Sequence, residues 1–199
     1  MQPTRQEALD LLAWAVSCNP GPWREHSLGV ARAAETIAAA AGLDGERAYI
    51  CGLLHDIGRY EGVRALHHVI VGYDLLMEKG WDIPARICIT HSFPDGNLAR
   101  YGGGIFDVTA EELARIRTLL EGSFDDYDRL IQLCDALAWG DGVCLMEKRL
   151  VDVVLRHGVF EGLVDKWKTW FAIKADFEAR IGASVYSLFP ECARLTFEA

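Results

Sequence analysis

The stretch Leu53-Leu54-His55-Asp56-Ile57-Gly58-Arg59 decides how this sequence is read. An imidazole and a carboxylate stand directly behind two leucines, with isoleucine after them. A carboxylate midway along an apolar helix is costly to bury unless it is paired or bound to a cation. Adjacent imidazole and carboxylate groups are good ligands for a borderline divalent metal. Alone the pair is weak evidence, because a helix-end histidine beside a solvated aspartate gives the same two letters.

Outward from this pair, helical periodicity dominates and no sustained alternation reads as a sheet, so the expected class is all-α. A first helix is expected over Thr4–Ser17, closed by Asn19-Pro20-Gly21-Pro22. The second runs from Trp23 to Ala41 and stops at Gly42, and the third follows Asp44 and carries Tyr49 to Ile57. A fourth spans Ala65–Lys79 before Gly80, and Pro84 opens a fifth that reaches His91. A loop from Ser92 to Val108 contains Pro94, Gly96 and the run Gly102-Gly103-Gly104. Thr109 and Glu112 form a capping box that starts the sixth helix. Further helices are expected over Asp125–Trp139, Leu145–His157 and Leu163–Ile181, with a turn near Tyr186. Without repeats or a Pro/Ser-rich linker, residues 1–199 are expected to form one domain with a helical extension from about Leu145.

Composition narrows the chemistry. A chain of 199 residues, 51% hydrophobic, can bury a core without a disulfide or a structural metal. A bound metal is therefore better explained by catalysis than by folding. The six cysteines are scattered with no C-x-x-C pair, which argues against a thiolate zinc site and a redox dithiol. No basic leader precedes the short apolar run Leu11–Val16, and no segment approaches the roughly 18 apolar residues of a membrane helix. The expectation is a cytoplasmic protein with no membrane partner. A net charge of −9 opposes binding to duplex nucleic acid but leaves small phosphorylated substrates open. Bound divalent cations would reverse the sign of the potential locally.

Two more residues pose the problem that Asp56 poses. His26 shares a helical face with Gly29, Val30, Ala33 and Ala34, a small apolar stripe that lets another helix approach closely. Asp135 lies between Leu130-Ile131-Gln132-Leu133 and Ala136-Leu137-Ala138-Trp139, where an unpaired carboxylate is expensive. A core histidine with a local partner remains an alternative for His26.

The order His26 … His55-Asp56 … Asp135 resembles the H…HD…D signature of the HD superfamily of metal-dependent phosphohydrolases. The local settings match as well: Glu25-His26-Ser27-Leu28-Gly29-Val30-Ala31 at the first motif and Leu54-His55-Asp56-Ile57-Gly58-Arg59 at the second. The resemblance spans about Trp23 to Trp139. It implies an all-α HD-domain helical bundle in which these four side chains, from three helices, hold one divalent metal. Dinuclear members add two histidines between the HD pair and the last aspartate. His68, in the H-x-x-x-G pattern of His68-Val69-Ile70-Val71-Gly72, resembles the first, and its helical face, unlike that of His67, passes through Gly72, Leu75 and Leu76. His91, ending Ile87-Cys88-Ile89-Thr90-His91, fits the second, with a structural or helix-capping role the alternative for both histidines.

The resemblance then implies Asp56 as a bridge between two metals, with His26, His55 and Asp135 on one and His68 and His91 on the other. Two ions ~3.5–4 Å apart can activate a water and clamp a phosphoryl group. Iron or manganese is expected by similarity to dinuclear members; zinc, nickel and cobalt also suit the donors. Arg59, one turn after Asp56, reads either as a phosphate clamp or as a salt bridge at a helix C-terminus, and Arg64 as a weaker phosphate contact. His157-Gly158 reads as a helix cap, and Gly102-Gly103-Gly104 lacks the Lys-Ser/Thr of a phosphate loop. Trp167, Trp170, Phe171 and Phe177 form an aromatic stripe suited to a core or a subunit contact, compatible with a homodimer.

The leading reading is hydrolysis of a small phosphoester or phosphoanhydride, a nucleotide or dinucleotide. The motif order resembles that of bacterial diadenosine polyphosphate hydrolases. It matches the HD-GYP phosphodiesterases only in part, since Gly72-Tyr73-Asp74 stands where Gly-Tyr-Pro would be sought. A second reading is an HD-type mixed-valent diiron oxygenase, and a third is a catalytically silent metal- or nucleotide-binding module.

Overall fold

The computed structural model describes residues 1–102, 106–140 and 142–198; Gly103 and Gly104 of the glycine run lie outside them. Ten α-helices make up nearly all of its regular structure. In order they are α1 (Arg5–Cys18), α2 (Trp23–Ala40), α3 (Gly45–Leu54), α4 (His67–Glu78), α5 (Asp82–Thr90), α6 (Ala110–Leu120), α7 (Asp126–Leu137), α8 (Met146–His157), α9 (Leu163–Ile181) and α10 (Cys192–Phe197). The fold is all-α.

Local chemistry sets where these helices begin and end. Thr4 with Glu7, Thr109 with Glu112, and Asp125 with Asp128 each close a capping box that satisfies amides the first turn would leave unpaired. Pro84 sits inside the first turn of α5, where its missing N–H removes no helical bond. Gly158 terminates α8 with a positive φ, and its amide bonds the Val154 carbonyl.

Three details depart from the sequence expectation. The HD pair does not lie within a helix: α3 stops at Leu54, Asp56 leaves the helical conformation at φ −106° and ψ 15°, and a 3-10 turn follows over Ile57–Glu61. α7 ends at Leu137 because Ala138–Trp139 pairs antiparallel with Gly142–Val143 in a two-residue ladder. A short tenth helix, α10, was not expected; its six residues carry too little periodicity to reveal it.

Packing explains the break at the HD pair. The small-residue face of α2 seats α3 closely: a Cβ at Gly52 would lie 2.9 Å from Ala31 Cα. The 3-10 turn crosses α4 still more tightly, backbone against backbone at Gly58 and Gly72. One core joins Ile37 of α2, Leu133 and Leu137 of α7, Leu150 of α8, and Ile173 and Phe177 of α9. A second gathers α1, Trp23 and α3, and a third joins α4, α5 and α6 through Ile70, Ile89, Phe93 and Ile116. The C-terminal helices thus close over α2 and α7. In the aromatic stripe, Phe177 is core, Trp167 and Trp170 pack beside it half-buried, and Phe171 is exposed.

All six cysteines are free, five of them buried. Among the described residues no helix is long and apolar enough to cross a membrane.

The Gly58 crossing yields the first prediction. A Cβ there would stand 2.0 Å from the His68 carbonyl oxygen and 2.6 Å from the Gly72 nitrogen. Neither backbone atom can swing aside as a side chain would. Gly58→Ala is expected to cost about 3 kcal/mol, the upper part of the usual overpacking range. Gly122→Ala, where a Cβ would meet nothing within 4 Å, should change stability by less than about 0.5 kcal/mol. Urea unfolding of the two variants tests this, and equal midpoints would refute the crossing.

Candidate metal centre

His55 caps the C-terminus of α3, and its Nδ1–H donates to the Gly52 carbonyl at 2.7 Å. His68, the second residue of α4, donates from Nδ1 to the Ala65 carbonyl. His91, just past α5, donates from Nδ1 to the Ile87 carbonyl at 3.1 Å. The device is the same three times: a carbonyl three or four residues back takes the Nδ1 proton. A carbonyl can only accept, so the tautomer is fixed and Nε2 presents a lone pair to the interior.

Those nitrogens converge on Asp56. His68 Nε2 lies 3.2 Å and His91 Nε2 3.6 Å from Oδ1, with the two nitrogens 3.5 Å apart. His55 Nε2 lies 3.8 Å from Oδ2. Oδ2 accepts a hydrogen bond from Arg59 Nε at 2.6 Å, whereas the buried Oδ1 accepts none. The short approach of His68 is not a hydrogen bond, as expected when its proton is on the other nitrogen.

The charge states sharpen the conflict. Burial pushes the Asp56 carboxyl up, but the Arg59 guanidinium against Oδ2 leads the groups that outweigh it and hold it well below the usual carboxylate range. Burial likewise raises Asp135, and the hydrogen bond and charge of His26 more than reverse it. Burial lowers His55 against the pull of Asp56, and burial with His55 nearby lowers His91 to about 3. At neutral pH these two rings are therefore neutral and face ionised carboxylates with lone pairs. Such an arrangement is repulsive until a cation enters it.

The remaining two residues complete the cluster. His26 of α2 lies with Nε2 2.9 Å from Asp135 Oδ1 on α7. Donor atoms of His26, His55 and Asp135 all lie within 4.8 Å of one another, and so do those of His55, Asp56 and His91. Metal–ligand bonds of about 2.0–2.2 Å place neighbouring donors ~3 Å apart, so these clusters need little adjustment to close on an ion. Imidazole and carboxylate donors without a thiolate fit a borderline divalent metal.

All six residues named from the sequence thus come together around one point. Arg59 joins them through Asp56, while its Nη1 reaches the Arg64 carbonyl at 3.5 Å; the Arg64 side chain is exposed. His67 turns away, toward Glu112 at 3.2 Å and Glu61 at 3.8 Å.

A model of the HD domain family matches residues 23–140, well over half of the chain. The chain belongs to the HD domain family. HD domains bind divalent metals and are generally metal-dependent phosphohydrolases. Comparisons with curated proteins and with solved structures return no match. The span matched as HD domain holds all six clustered residues and Arg59; it leaves out α1 and α8–α10.

Sequence reading missed several residues that build this HD centre. Asp128, Gln132 and Asp135 form a polar row at i, i+4 and i+7 on one face of α7. Asp128 is wholly buried and accepts from the Thr90 hydroxyl at 2.7 Å and from Arg86 at 2.6 and 3.1 Å. Gln132 donates to the Thr90 carbonyl at 2.9 Å. The row therefore fixes the α5 end that carries His91 to the helix that carries Asp135, and its polar periodicity was the available signal. Tyr101 also feels the charges of the centre: burial raises its hydroxyl, Arg59 opposes this and Asp56 adds to it. No sequence pattern marks it. Ser92 places its hydroxyl 3.0 Å from His91 Nε2.

Asp128→Ala should therefore do two things. It leaves the buried Thr90 hydroxyl without its acceptor and removes bonds to a charged group, a loss upwards of about 2 kcal/mol. It should also weaken metal binding although Asp128 is no ligand. Thermal melts with and without added Mn(II) measure both, and an unchanged ligand-induced shift would show that the row does not position His91.

Proposed function

We propose that this HD domain is a dinuclear metal-dependent phosphohydrolase acting on a small phosphoester or phosphoanhydride, a nucleotide or dinucleotide. The observation that carries the reading is the convergence of three inward-facing Nε2 lone pairs on an ionised Asp56 whose Oδ1 has no hydrogen-bond partner. His26, His55 and Asp135 would hold one ion, His68 and His91 the other, and Asp56 both. Bound there, the ions would supply Lewis acidity and a water nucleophile that is ionised near neutral pH.

The chain's own residues would do the rest. Asp56 keeps a full negative charge at the centre because Arg59 lies against Oδ2. Arg59 donates from Nε to Asp56 and from Nη1 toward Arg64, and its remaining guanidinium edge is suited to a non-bridging phosphate oxygen. The salt-bridge and phosphate-clamp readings of Arg59 are therefore compatible. Tyr101, whose hydroxyl feels the charges of Arg59 and Asp56, would donate toward a substrate held there. The carbonyl-anchored histidines cannot rotate freely, so donor positions are set before anything binds.

Metal content tests the two-ion claim. Elemental analysis should find two divalent ions per wild-type chain and about one in His68→Ala and in His91→Ala. A wild-type value near one, unchanged in both variants, would sink it.

Reaction class needs a separate test, because the same ligand set on iron can serve an HD-type oxygenase. Cations at Arg59 and Arg64 favour a substrate whose charge grows on non-bridging oxygens. Manganese-loaded protein should release phosphate from a panel of nucleotides and dinucleotides without oxygen. Activity that demands both iron and oxygen, with none on any phosphoester, would reassign it.

A further inference from the structure

Lys166 lies on α9, outside the span matched as HD domain, yet it is only 4% exposed. Its ammonium donates to the Ser92 carbonyl at 2.9 Å and to the Arg100 carbonyl at 3.1 Å. Its Nζ also sits 5.0 Å from the Trp170 ring centre and 5.9 Å from that of Phe160. Among the described residues it has no carboxylate partner within 4 Å. Burial lowers it to about 8, with Asp95 and Asp135 opposing, so the group stays largely protonated at neutral pH. A buried ammonium without a counter-ion is expensive. Two carbonyl acceptors and two aromatic faces reduce that cost but do not need a lysine for the fold alone.

The two carbonyls bracket the segment that leaves the metal cluster. Ser92 follows His91 directly, so holding its carbonyl holds the backbone that carries the ring, and its hydroxyl lies 3.0 Å from His91 Nε2. Arg100 precedes Tyr101. Other contacts dock the same segment on the start of α9: Arg100 lies against Gly162, where a Cβ would meet Nε at 2.6 Å, and reaches Asp165 at 3.5 Å. Gly102 lies under Phe160, where a Cβ would stand 3.3 Å from Cε1. On the other side, Gln132 and Arg129 of α7 hold the carbonyls of Phe93 and Pro94. Residues 92 and 100 are thus held together by one side chain from beyond the HD module.

We propose that Lys166 is a positioning residue of the metal centre: it clasps the segment 92–102 to α9 and, through the backbone of Ser92, fixes the position of the adjoining His91. The clasp itself is independent of how many ions bind; its effect on His91 rests on the two-ion reading above. Removing the ammonium frees both carbonyls and lets Ser92, Tyr101 and the His91 ring move together.

The test uses the full chain with Lys166→Met, which keeps the apolar stem and removes the donors. Lys168→Met serves as control, because Lys168 is 73% exposed on the same helix. Circular dichroism checks the fold, and hydrogen exchange with mass spectrometry reads the amides of residues 92–102. Exchange there should rise about tenfold or more in Lys166→Met, with α2 and α3 unchanged and the control at wild-type rates. Co(II) titration of metal-free protein, followed by visible absorption, should show the weaker of two binding steps loosened about tenfold and the tighter step unchanged. Lys166→Arg should restore both readouts to within about threefold, since a guanidinium keeps the charge and donors for both carbonyls. If Lys166→Met does not fold, Lys166→Gln carries the same comparison: it is one bond shorter, uncharged, and unable to serve both carbonyls. Unchanged exchange in a folded variant overturns the clasp. Faster exchange with both Co(II) steps unchanged overturns the action on His91. A single Co(II) step in the wild type defeats the two-ion reading instead and leaves the exchange result to decide the clasp.

Discussion

A buried negative charge at Asp56 organises this molecule. Its carboxylate lies out of water with one oxygen on Arg59 and the other facing imidazole nitrogens that have no proton to offer. Protein interiors do not tolerate such a group unless something compensates for it. The surrounding structure answers by arranging the compensation in advance. Three histidines are anchored through Nδ1 to their own local backbone, so each ring's aim is a property of the helix end that carries it. Placing the donors at helix ends also explains why α3 stops where it does.

Bringing those helix ends together is a task for residues that never touch the centre. Ala31 and Gly52 let α2 and α3 approach, Asp128 and Gln132 hold α5 to α7, and the hydrophobic seam through Ile37, Leu133 and Phe177 draws the C-terminal helices over both. Each contact acts between elements far apart in sequence. The result is a cluster whose residues come from five segments but whose relative positions have few degrees of freedom.

Much of this is legible in the sequence. The helices from α1 to α9, the capping box at Thr109, and the choice of His68 over His67 follow from spacing and from the faces that spacing defines. The six clustered residues were readable because ionisable groups in apolar runs are anomalous, and because their order resembles a known signature. What stayed hidden had physical reasons. The break at Asp56 is imposed by the crossing with α4, a contact between backbones that no side-chain pattern encodes. The two-residue ladder and α10 are too short to carry a period. Lys166 looks like any solvated lysine beside an aromatic stripe; the approach of residues 92–102 and the rings of Trp170 and Phe160 cover it. Tyr101 lies in a loop, where periodicity has nothing to say.

The crossing at Gly58 and Gly72 bears on how far the polar cluster can relax. Main chain rests on main chain there, so the spacing between the turn that carries Asp56 and the start of α4 is fixed, and only side-chain rotation is left to adjust the approach of Asp56 to His68. A cluster hung on so rigid a joint cannot spread apart to relieve the crowding of its polar groups, because that would mean moving a whole helix. Groups carried on long, freely rotating side chains would instead swing out into solvent. In this protein the absence of two methyl groups keeps the cluster closed.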